Sequence, residues 1–311
     1  MVKLLKSLLK YILGERIVNF IKRTFFEKKI PIHIQDIFGF DLYQNNNDII
    51  DYSKFKGLTS ETLTKNDPDI KIFKFMKRFL DDGMVGIDIG ANIGLMSLFM
   101  SKLAGETGHV YAFEPGPVSK SLMQRNLFCN YDSAKNITLI DSAVSDIDGE
   151  VPLFLNGSGE SDNQVHKDIG TYEFREEPDR QKVIVPSVKL DTFFKDFNDQ
   201  EIQKIQFVKI DTQGHEWYVL NGAKEFFRAT DKIVVLCEFA PYLKAWEVID
   251  IEEFYNLLKS LGFDIYDGSN FGVGEIDLRY LNKNYGKEKI SKYTDLLLVK
   301  GIKDLNFSEF L

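Results

Sequence analysis

Cysteine and histidine are scarce in this sequence. The 311 residues include 2 cysteines and 4 histidines. Cys129 and Cys237 lie far apart, and neither has a second sulfur or a histidine at the spacing of a known metal motif. We therefore predict no bound metal, and we expect a reducing, intracellular compartment, the cytoplasm.

Proline is also rare, and basic residues are outnumbered by acidic ones. With 8 prolines and 22 glycines, the composition excludes a low-complexity or fibrous chain. The 39 lysines and arginines stand against 47 acidic residues, which gives a net charge of −8. Such a chain repels a phosphate backbone, so nucleic acid is not an expected partner. The 44% of apolar residues, with 26 phenylalanines, predict a large globular core.

The first 30 residues contain no apolar run of the roughly 20 residues that a bilayer requires, because Lys3, Lys6 and Lys10 interrupt them. These lysines also argue against a cleavable signal peptide. The apolar residues recur at helical spacing: Leu4, Leu5, Leu8, Leu9 and Ile12. Residues 1–30 therefore predict a basic amphipathic helix, an N-terminal helical extension. Two interpretations stay open: the helix lies on an anionic inner membrane surface, or it packs on the rest of the protein.

Two further regions follow this segment. Residues 31–69 are irregular and polar and are interpreted as a connector or lid, whereas residues 70–311 alternate between helical and strand-like segments. Strands are predicted at 85–89, 109–113, 137–140, 183–188, 207–210, 233–238, 263–266 and 295–299. Helices are predicted at 70–80, 93–103, 118–129, 216–228 and 251–261. This alternation predicts an α/β fold with a doubly wound, mostly parallel, Rossmann-like sheet, whose ligand lies beyond the carboxyl ends of the strands.

The strongest local signal is a glycine turn after the first strand of that region. Residues 85–94 read Val-Gly-Ile-Asp-Ile-Gly-Ala-Asn-Ile-Gly and lead directly into a helix. Gly90 and Gly94 would let the backbone approach a ligand closely. The spacing differs from the dinucleotide fingerprint, because Asn92 stands where that fingerprint needs a glycine. The turn therefore favours a ligand other than a dinucleotide.

The charges near this turn favour a cationic cofactor. Asp88 at the strand tip would repel a pyrophosphate but would attract an ammonium and a sulfonium, both of which S-adenosylmethionine carries. Glu114 directly follows the next strand, where a carboxylate can accept hydrogen bonds from ribose hydroxyls. Ser142 and Ala143 follow the third strand and are expected to lie beside the adenine. We therefore predict S-adenosylmethionine as the cofactor.

Three separated motifs carry a family resemblance. They are Asp-Ile-Gly-Ala-Asn-Ile-Gly at 88–94, Phe-Glu-Pro at 113–115, and Phe-Val-Lys-Ile-Asp-Thr-Gln-Gly-His-Glu at 207–216 with Val-Leu-Asn-Gly-Ala at 219–223. Together they resemble the FkbM family of S-adenosylmethionine-dependent methyltransferases, over roughly residues 58–300. Glu61 also stands where such proteins usually carry an acid.

This resemblance implies a seven-stranded methyltransferase sheet with a final antiparallel strand, for which residues 295–299 are the candidate. It also implies O-methylation, commonly of sugar or polyketide hydroxyls. One departure concerns residues 211–214, where the family often has Asp-Val-Glu-Gly and this chain has Asp-Thr-Gln-Gly. Any role of that usual acid is therefore absent or transferred to Glu216.

Methyl transfer to an oxygen needs a base that removes the hydroxyl proton. Asp211, His215 and Glu238 all follow strands and are expected to face one crevice, so each is a candidate for the catalytic base. Structural roles stay open for His215 and Glu238, Asp211 could instead orient the cofactor and substrate, and Lys209 is expected to be a sheet-face or ion-pair residue. A metal is not expected here, because the three candidate bases match no known metal motif. The polar stretch 156–180 is interpreted either as a loop that covers the substrate or as plain disorder.

The leading hypothesis is an enzyme, a methyltransferase that acts on a hydroxyl of a sugar, glycan or lipid-linked small molecule. An NAD-dependent oxidoreductase is disfavoured by Asn92 and Asp88. A non-catalytic, membrane-peripheral scaffold that keeps the fold is the alternative from another functional class.

Overall fold

The computed structural model describes residues 32–44, 55–57, 68–155, 181–243, 246, 249–303 and 305. Three features predicted from the sequence lie outside these ranges: the helix in residues 1–30, the acid Glu61 and the loop at residues 156–180. Within the described ranges, none of the helices has the length and apolarity that a membrane span requires.

Strands and helices alternate along most of the described chain. The strands are β1 (Ile32–Ile37), β2 (Phe40–Gln44), β3 (Val85–Ile89), β4 (His109–Phe113), β5 (Ile137–Ile140), β6 (Ala143–Val144), β7 (Gly149–Leu155), β8 (Gln181–Val188), β9 (Ile205–Ile210), β10 (Ile233–Phe239), β11 (Asp264–Asp267) and β12 (Thr294–Lys300). The helices are α1 (Pro68–Phe79), α2 (Leu95–Ala104), α3 (Pro117–Cys129), α4 (Tyr131–Ala134), α5 (Leu190–Phe193), α6 (Asp199–Gln203), α7 (Glu216–Asn221), α8 (Lys224–Ala229), α9 (Ile251–Ser260) and α10 (Leu278–Tyr285).

Seven strands form the central sheet, in the order β11-β12-β10-β9-β3-β4-β5. Neighbouring strands from β10 to β5 are parallel, and β12 runs antiparallel to both β10 and β11. The sequence prediction of a doubly wound, mostly parallel sheet is therefore confirmed, as is the antiparallel final strand. Strands β3, β4 and β5 also have the predicted bounds.

Helices cover both faces of the sheet, as alternate residues of β9 illustrate. Phe207 packs in one buried layer with Phe73 of α1 and Phe99 of α2. Val208 faces the other layer, which includes Leu220 of α7. Because both faces are buried, the strands read as nearly continuous apolar runs, which is why the sequence showed them clearly.

The strand order reverses between β3 and β9. The chain continues from β3 to β4 and β5 on one side, and later from β9 to β10 on the other. At this point the backbone N–H of Asp211 donates to the carbonyl oxygen of Ile89, at 3.1 Å. The carboxyl ends of β3 and β9 therefore adjoin at the position where ligands bind in folds of this class.

The predicted strand at 183–188 belongs to a different sheet. Strand β8 pairs with β6 and β7 in a separate three-stranded sheet. Its residues alternate between buried and more exposed positions towards its carboxyl end. This alternation is typical of a sheet with one exposed face, not of a central parallel strand.

Residues 32–44, which the sequence interpretation assigned to an irregular connector, form an antiparallel hairpin of β1 and β2. Phe40, Leu42 and Gln44 of β2 are buried, and the two residues between them are half-buried. The period of two identifies a strand with one buried face. The sequence signal was weak because the alternation is short and includes a buried glutamine.

The single helix predicted at 216–228 is divided into α7 and α8. The break falls at Gly222, where the backbone approaches another segment closely. A Cβ atom at this glycine would lie 1.9 Å from the carbonyl oxygen of Ser145. The apolar spacing alone could not show this close approach.

Candidate active site

The glycine turn after β3 is sharply folded. Gly90, Asn92 and Gly94 have φ angles of 79°, 50° and 88°, all in the left-handed region. The N–H groups of Gly90 and Ala91 both donate to the carbonyl oxygen of Phe113, at 3.1 and 3.0 Å. The turn is therefore held against the end of β4, and α2 begins directly after it.

The two glycines are required by the packing of the chain itself. A Cβ atom at Gly90 would lie 1.9 Å from the carbonyl oxygen of Asp211. A Cβ atom at Gly94 would lie 2.9 Å from Cγ of Met123. Close packing of the backbone is therefore a reason for these glycines in addition to the predicted approach of a ligand.

Asn92 explains why the turn tolerates a side chain at its centre. Asparagine adopts a positive φ more easily than most residues. Its backbone N–H donates to Oε2 of Glu114, at 2.7 Å. Its side-chain Oδ1 is buried and has no hydrogen-bond partner among the described residues. A buried acceptor in this state can take a hydrogen bond from a bound ligand.

Glu114 connects the turn to the segment after β4. Its Oε1 accepts a hydrogen bond from the N–H of Gly116, at 2.7 Å, and the residue is 6% exposed. Both carboxylate oxygens are therefore fixed by backbone donors. The sequence placed Glu114 directly after a strand, and the structure brings its carboxylate against the glycine turn.

Asp88 lies beneath the turn and has no exposed surface. Its Oδ2 accepts a hydrogen bond from Ser97 Oγ at 2.6 Å, and its Oδ1 lies 3.8 Å from Nζ of Lys209. Burial raises the pKa of Asp88, although Lys209 and Ser97 oppose that shift. Asp88 was predicted to attract the cationic cofactor; in the structure its carboxyl group is buried and lies against Ser97 and Lys209.

The segment after β5 lies next to Glu114. The carbonyl oxygen of Ile140 accepts hydrogen bonds from the N–H groups of Glu114 and Ser142, at 3.1 and 3.0 Å. The hydroxyl of Ser142 donates to the carbonyl oxygen of Asp141, at 2.8 Å. Ala143 is buried and pairs with Ser187 in the smaller sheet. The predicted adenine side therefore adjoins the predicted ribose side.

A second group of polar residues lies at the carboxyl ends of β9 and β10. Asp211 Oδ2 accepts a hydrogen bond from Lys209 Nζ at 3.1 Å, and its Oδ1 accepts one from Gln213 Nε2 at 3.0 Å. The same Gln213 nitrogen lies 3.4 Å from Oε2 of Glu238. The side-chain amide of Gln213 thus brings Asp211 and Glu238 together. Gln213 stands where the sequences that this chain resembles often carry a glutamate.

The electrostatic environment of Glu238 disfavours its charged form. Burial raises the pKa of this half-buried carboxyl well above its ordinary value, and the neighbouring charges of Asp211, Glu216 and Asp295 raise it further. Lys209 acts in the opposite direction. Asp295 stands opposite Glu238 in the antiparallel pairing of β10 and β12. Asp295 was not among the site residues predicted from the sequence, because the register between two antiparallel strands cannot be read from one sequence.

Glu216 stabilises the turn that follows β9. Its Oε1 accepts hydrogen bonds from the N–H and hydroxyl of Thr212 and from the N–H of Gly214. Burial raises the pKa of Glu216 to about 7. Glu216 is buried and therefore fixes the backbone between Asp211 and His215, two of the three candidate bases.

His215 has a different environment from the other two candidate bases. Its Nε2 lies 2.9 Å from Ser145 Oγ, its ring stacks on Tyr218, and the residue is 3% exposed. The structure therefore brings Asp211 and Glu238 together and binds His215 to Ser145. The partner could not be inferred from the sequence because it lies in the distant segment after β6.

Lys209 joins the two groups of residues. It is buried between Asp88 and Asp211, and it forms the ion pairs that the sequence predicted for it. Among the residues that the structure describes, no group of three or more His, Cys, Asp or Glu side chains could hold a metal ion.

The residues at the ends of β3, β4 and β5 fit S-adenosylmethionine. The turn lies beside the Glu114 carboxylate, which is suited to ribose hydroxyls, and Asn92 Oδ1 is a buried acceptor without a partner among the described residues. The small residues Ser142 and Ala143 adjoin this site.

The sequence is similar to known methyltransferases. Residues 88–265 match the family model described as the methyltransferase FkbM domain. Methyltransferase sdnD of Sordaria araneosa is 29% identical over 199 residues, which cover 58% of this chain and 73% of the relative.

Two solved structures that match this chain are also methyltransferases by name. A putative rRNA methylase of Clostridium thermocellum has a TM-score of 0.43 and 11% identity, over 76% of this chain and 96% of that one. Methyltransferase FkbM of Methylobacillus flagellatus KT has a TM-score of 0.41 and 14% identity, over 75% of this chain and 50% of that one. The match to the family model spans more than half of the chain. The protein therefore belongs to the FkbM family of methyltransferases, and its methyl donor is S-adenosylmethionine.

Proposed function

We propose that this protein is an O-methyltransferase that acts on a hydroxyl of a sugar, glycan or lipid-linked acceptor, with Glu238 as the base. The observation that carries this proposal is the raised pKa of Glu238 at the carboxyl end of β10, beside Asp211 at the end of β9. A carboxylate that binds protons more tightly than usual is suited to accept a proton from an alcohol.

The proposed division of labour follows the two groups of residues. Asn92, Glu114, Ser142 and Ala143 hold S-adenosylmethionine, and Asp88 supports the turn from below. The bound cofactor supplies a methyl group that its sulfonium has already activated. The protein therefore has to orient the acceptor oxygen and remove its proton.

Glu238 fits the role of the base better than the other two candidates. Asp211 already accepts hydrogen bonds from Lys209 and Gln213. His215 is almost completely buried and binds Ser145. We therefore assign Asp211 to orientation of the acceptor and His215 to support of the turn between β9 and α7.

The charge of the site supports a neutral acceptor. Asp211, Glu238 and Asp295 lie close to one another at this edge, with Lys209 as the buried counter-charge. Such a group of carboxylates repels phosphates and carboxylates but accepts hydrogen bonds from hydroxyl groups. A hydroxyl-rich molecule matches both properties.

A labelling experiment tests this proposal. The purified protein is incubated with S-adenosylmethionine that carries a deuterated methyl group, and with neutral alkyl glycosides, glycolipids, aryl amines and phosphorylated sugars in parallel. We expect methyl transfer to hydroxyls of the neutral glycosides or glycolipids, detected by mass spectrometry, and its loss in Glu238→Gln. Transfer only to nitrogen, or only to the phosphorylated compounds, would overturn the proposal.

The sequence of residues 1–30 favours an acceptor at a membrane surface. We propose that residues 1–30 place the protein peripherally on the cytoplasmic side of the membrane, because their basic, amphipathic pattern suits anionic lipid. Sedimentation with anionic vesicles, compared with neutral vesicles and with a protein lacking residues 1–30, tests this. Equal binding of the full and shortened proteins would contradict it.

A further inference from the structure

Two asparagines, Asn126 of α3 and Asn130 directly after it, bind the outer edge of β2 as a neighbouring strand would. Asn126 Oδ1 accepts a hydrogen bond from the N–H of Tyr43 at 2.7 Å, and its Nδ2 donates to the carbonyl oxygen of Tyr43 at 3.1 Å. Asn130 makes the same pair of bonds with Asp41, at 3.0 and 2.7 Å. Residues four apart on a helix are about 6 Å apart, close to the spacing of alternate residues on a strand. The two side chains therefore replace a strand partner.

Asn126 makes one more hydrogen bond, and this bond reaches the glycine turn. Its Nδ2 donates to the carbonyl oxygen of Ile93 at 2.8 Å. Ile93 lies between Asn92, whose N–H binds Glu114, and Gly94. The side chain of Asn126 has no exposed surface, so water cannot replace these bonds. Tyr43, Asn126 and the turn are thus joined by one fully bonded amide.

Other contacts hold the hairpin against helices α2 and α3. Lys102 of α2 donates to the carbonyl oxygen of Phe38, at 3.0 Å. The guanidinium of Arg125 lies 3.7 Å from the ring centroid of Tyr43, and His33 stacks on that ring at 4.5 Å. The hairpin is therefore positioned by the same helices that leave the turn and follow β4.

We propose that Asn126 is a positioning residue for the cofactor turn, and that hairpin β1–β2 and S-adenosylmethionine stabilise each other through it. This inference rests on the proposed placement of the cofactor on the glycine turn. Coupling is reciprocal: if the docked hairpin raises the affinity of the turn for the cofactor by a given factor, the bound cofactor favours the docked hairpin by the same factor. A cofactor that orders the turn therefore strengthens the hold of Asn126 on β2.

Hydrogen exchange on the unaltered protein gives the first test, with and without saturating S-adenosylmethionine. We expect slower exchange in residues 88–94, and a slowing of about threefold or more at Tyr43 and its neighbours in β2. Strand β11, at the far edge of the sheet, serves as the reference. Slowing at the turn with unchanged exchange in β2 would overturn the coupling and leave the cofactor placement intact. Unchanged exchange at both would overturn the cofactor placement itself.

A matched pair of variants gives the second test. Asn126→Asp removes both amide donations, whereas Asn130→Asp disturbs the hairpin without removing a bond to the turn. We expect cofactor affinity to fall about tenfold or more in Asn126→Asp and to stay within about threefold in Asn130→Asp, measured by calorimetry. In Asn126→Asp, saturating cofactor should no longer slow exchange at Tyr43. Equal losses of affinity in the two variants would contradict the role of Asn126 as the link.

Discussion

The two halves of the crevice use carboxylates in opposite ways. On the side of β3 and β4, Glu114 accepts hydrogen bonds from two backbone N–H groups. On the side of β9 and β10, Glu238 is surrounded by other carboxylates, and its pKa is raised. The same functional group is thus a fixed hydrogen-bond acceptor in one half, whereas in the other its raised pKa suits the proposed role of proton acceptor, because its neighbours differ.

Lys209 keeps the two halves compatible. Its buried ammonium lies between Asp88 below the cofactor turn and Asp211 at the acceptor edge. Without it, two buried or partly buried carboxylates on adjacent strands would repel each other. We call the side of β3 and β4, where backbone donors fix the carboxylate of Glu114, the rigid half. We call the side of β9 and β10, where the pKa of Glu238 is raised, the acceptor half.

The rigid half is expected to show the largest response to a single substitution. In Gly90→Ala the new Cβ would meet the carbonyl oxygen of Asp211 at 1.9 Å, at a φ of 79°. We expect a loss of more than about 4 kcal/mol of unfolding free energy, or failure to fold. Gly274→Ala is the control, because its φ is 73° and nothing lies within 4 Å of the new Cβ. Its φ of 73° and ψ of −152° lie in a region that glycine alone adopts easily, so Gly274→Ala should lose about 1–3 kcal/mol in urea titrations, less than Gly90→Ala. Similar losses in both variants would contradict the packing argument.

The acceptor half should respond in turnover and not in folding. We expect Glu238→Gln to lower the rate of methyl transfer about 100-fold to 1000-fold, because the base is lost. The control is Glu253→Gln on the exposed side of α9, which should keep normal activity. In the unaltered protein, the rate should rise with pH through the raised pKa of Glu238. An unchanged rate in Glu238→Gln at neutral pH would exclude this residue as the base.

The same half should also cause a measurable dependence of stability on pH. The pKa of Glu216 rises from an ordinary 4.5 to about 7 on folding. The folded state therefore holds this proton more tightly, and stability falls as the pH rises from about 4.5 to 7. The size of this effect is on the order of 3 kcal/mol. Unfolding free energies of the native protein and Glu216→Gln, measured at several pH values, should differ in slope within this window. Parallel curves would contradict the shift.

The smallest effect is expected at the exposed edge of the rigid half. Lys120 pairs with Asp141 at the end of β5, and the aspartate side chain is 54% exposed. Exposed ion pairs contribute little, so Asp141→Asn should change stability by less than about 1 kcal/mol. Thermal unfolding at low and high salt measures this change. A larger loss would mean that this edge helps to order the segment containing Ser142.

The sequence predicted the rigid half more completely than the acceptor half. Strands β3 to β5, the glycine turn and the position of Glu114 directly after a strand were readable, because short apolar runs end there in glycine or acid residues. The opposition of Glu238 and Asp295 depends on antiparallel register, and the bond between His215 and Ser145 joins distant segments. Hairpin β1–β2 was missed because its alternation is short. Long-range contacts thus account for most of what the sequence did not show.

Calorimetric titration of S-adenosylmethionine into two variants tests the division of labour most directly. Glu114→Gln should weaken cofactor binding about 10-fold to 100-fold, because a charged acceptor of backbone and ribose donors is lost. Glu238→Gln should bind the cofactor within about threefold of the unaltered protein. Equal weakening in both variants, or normal binding by Glu114→Gln, would contradict the account.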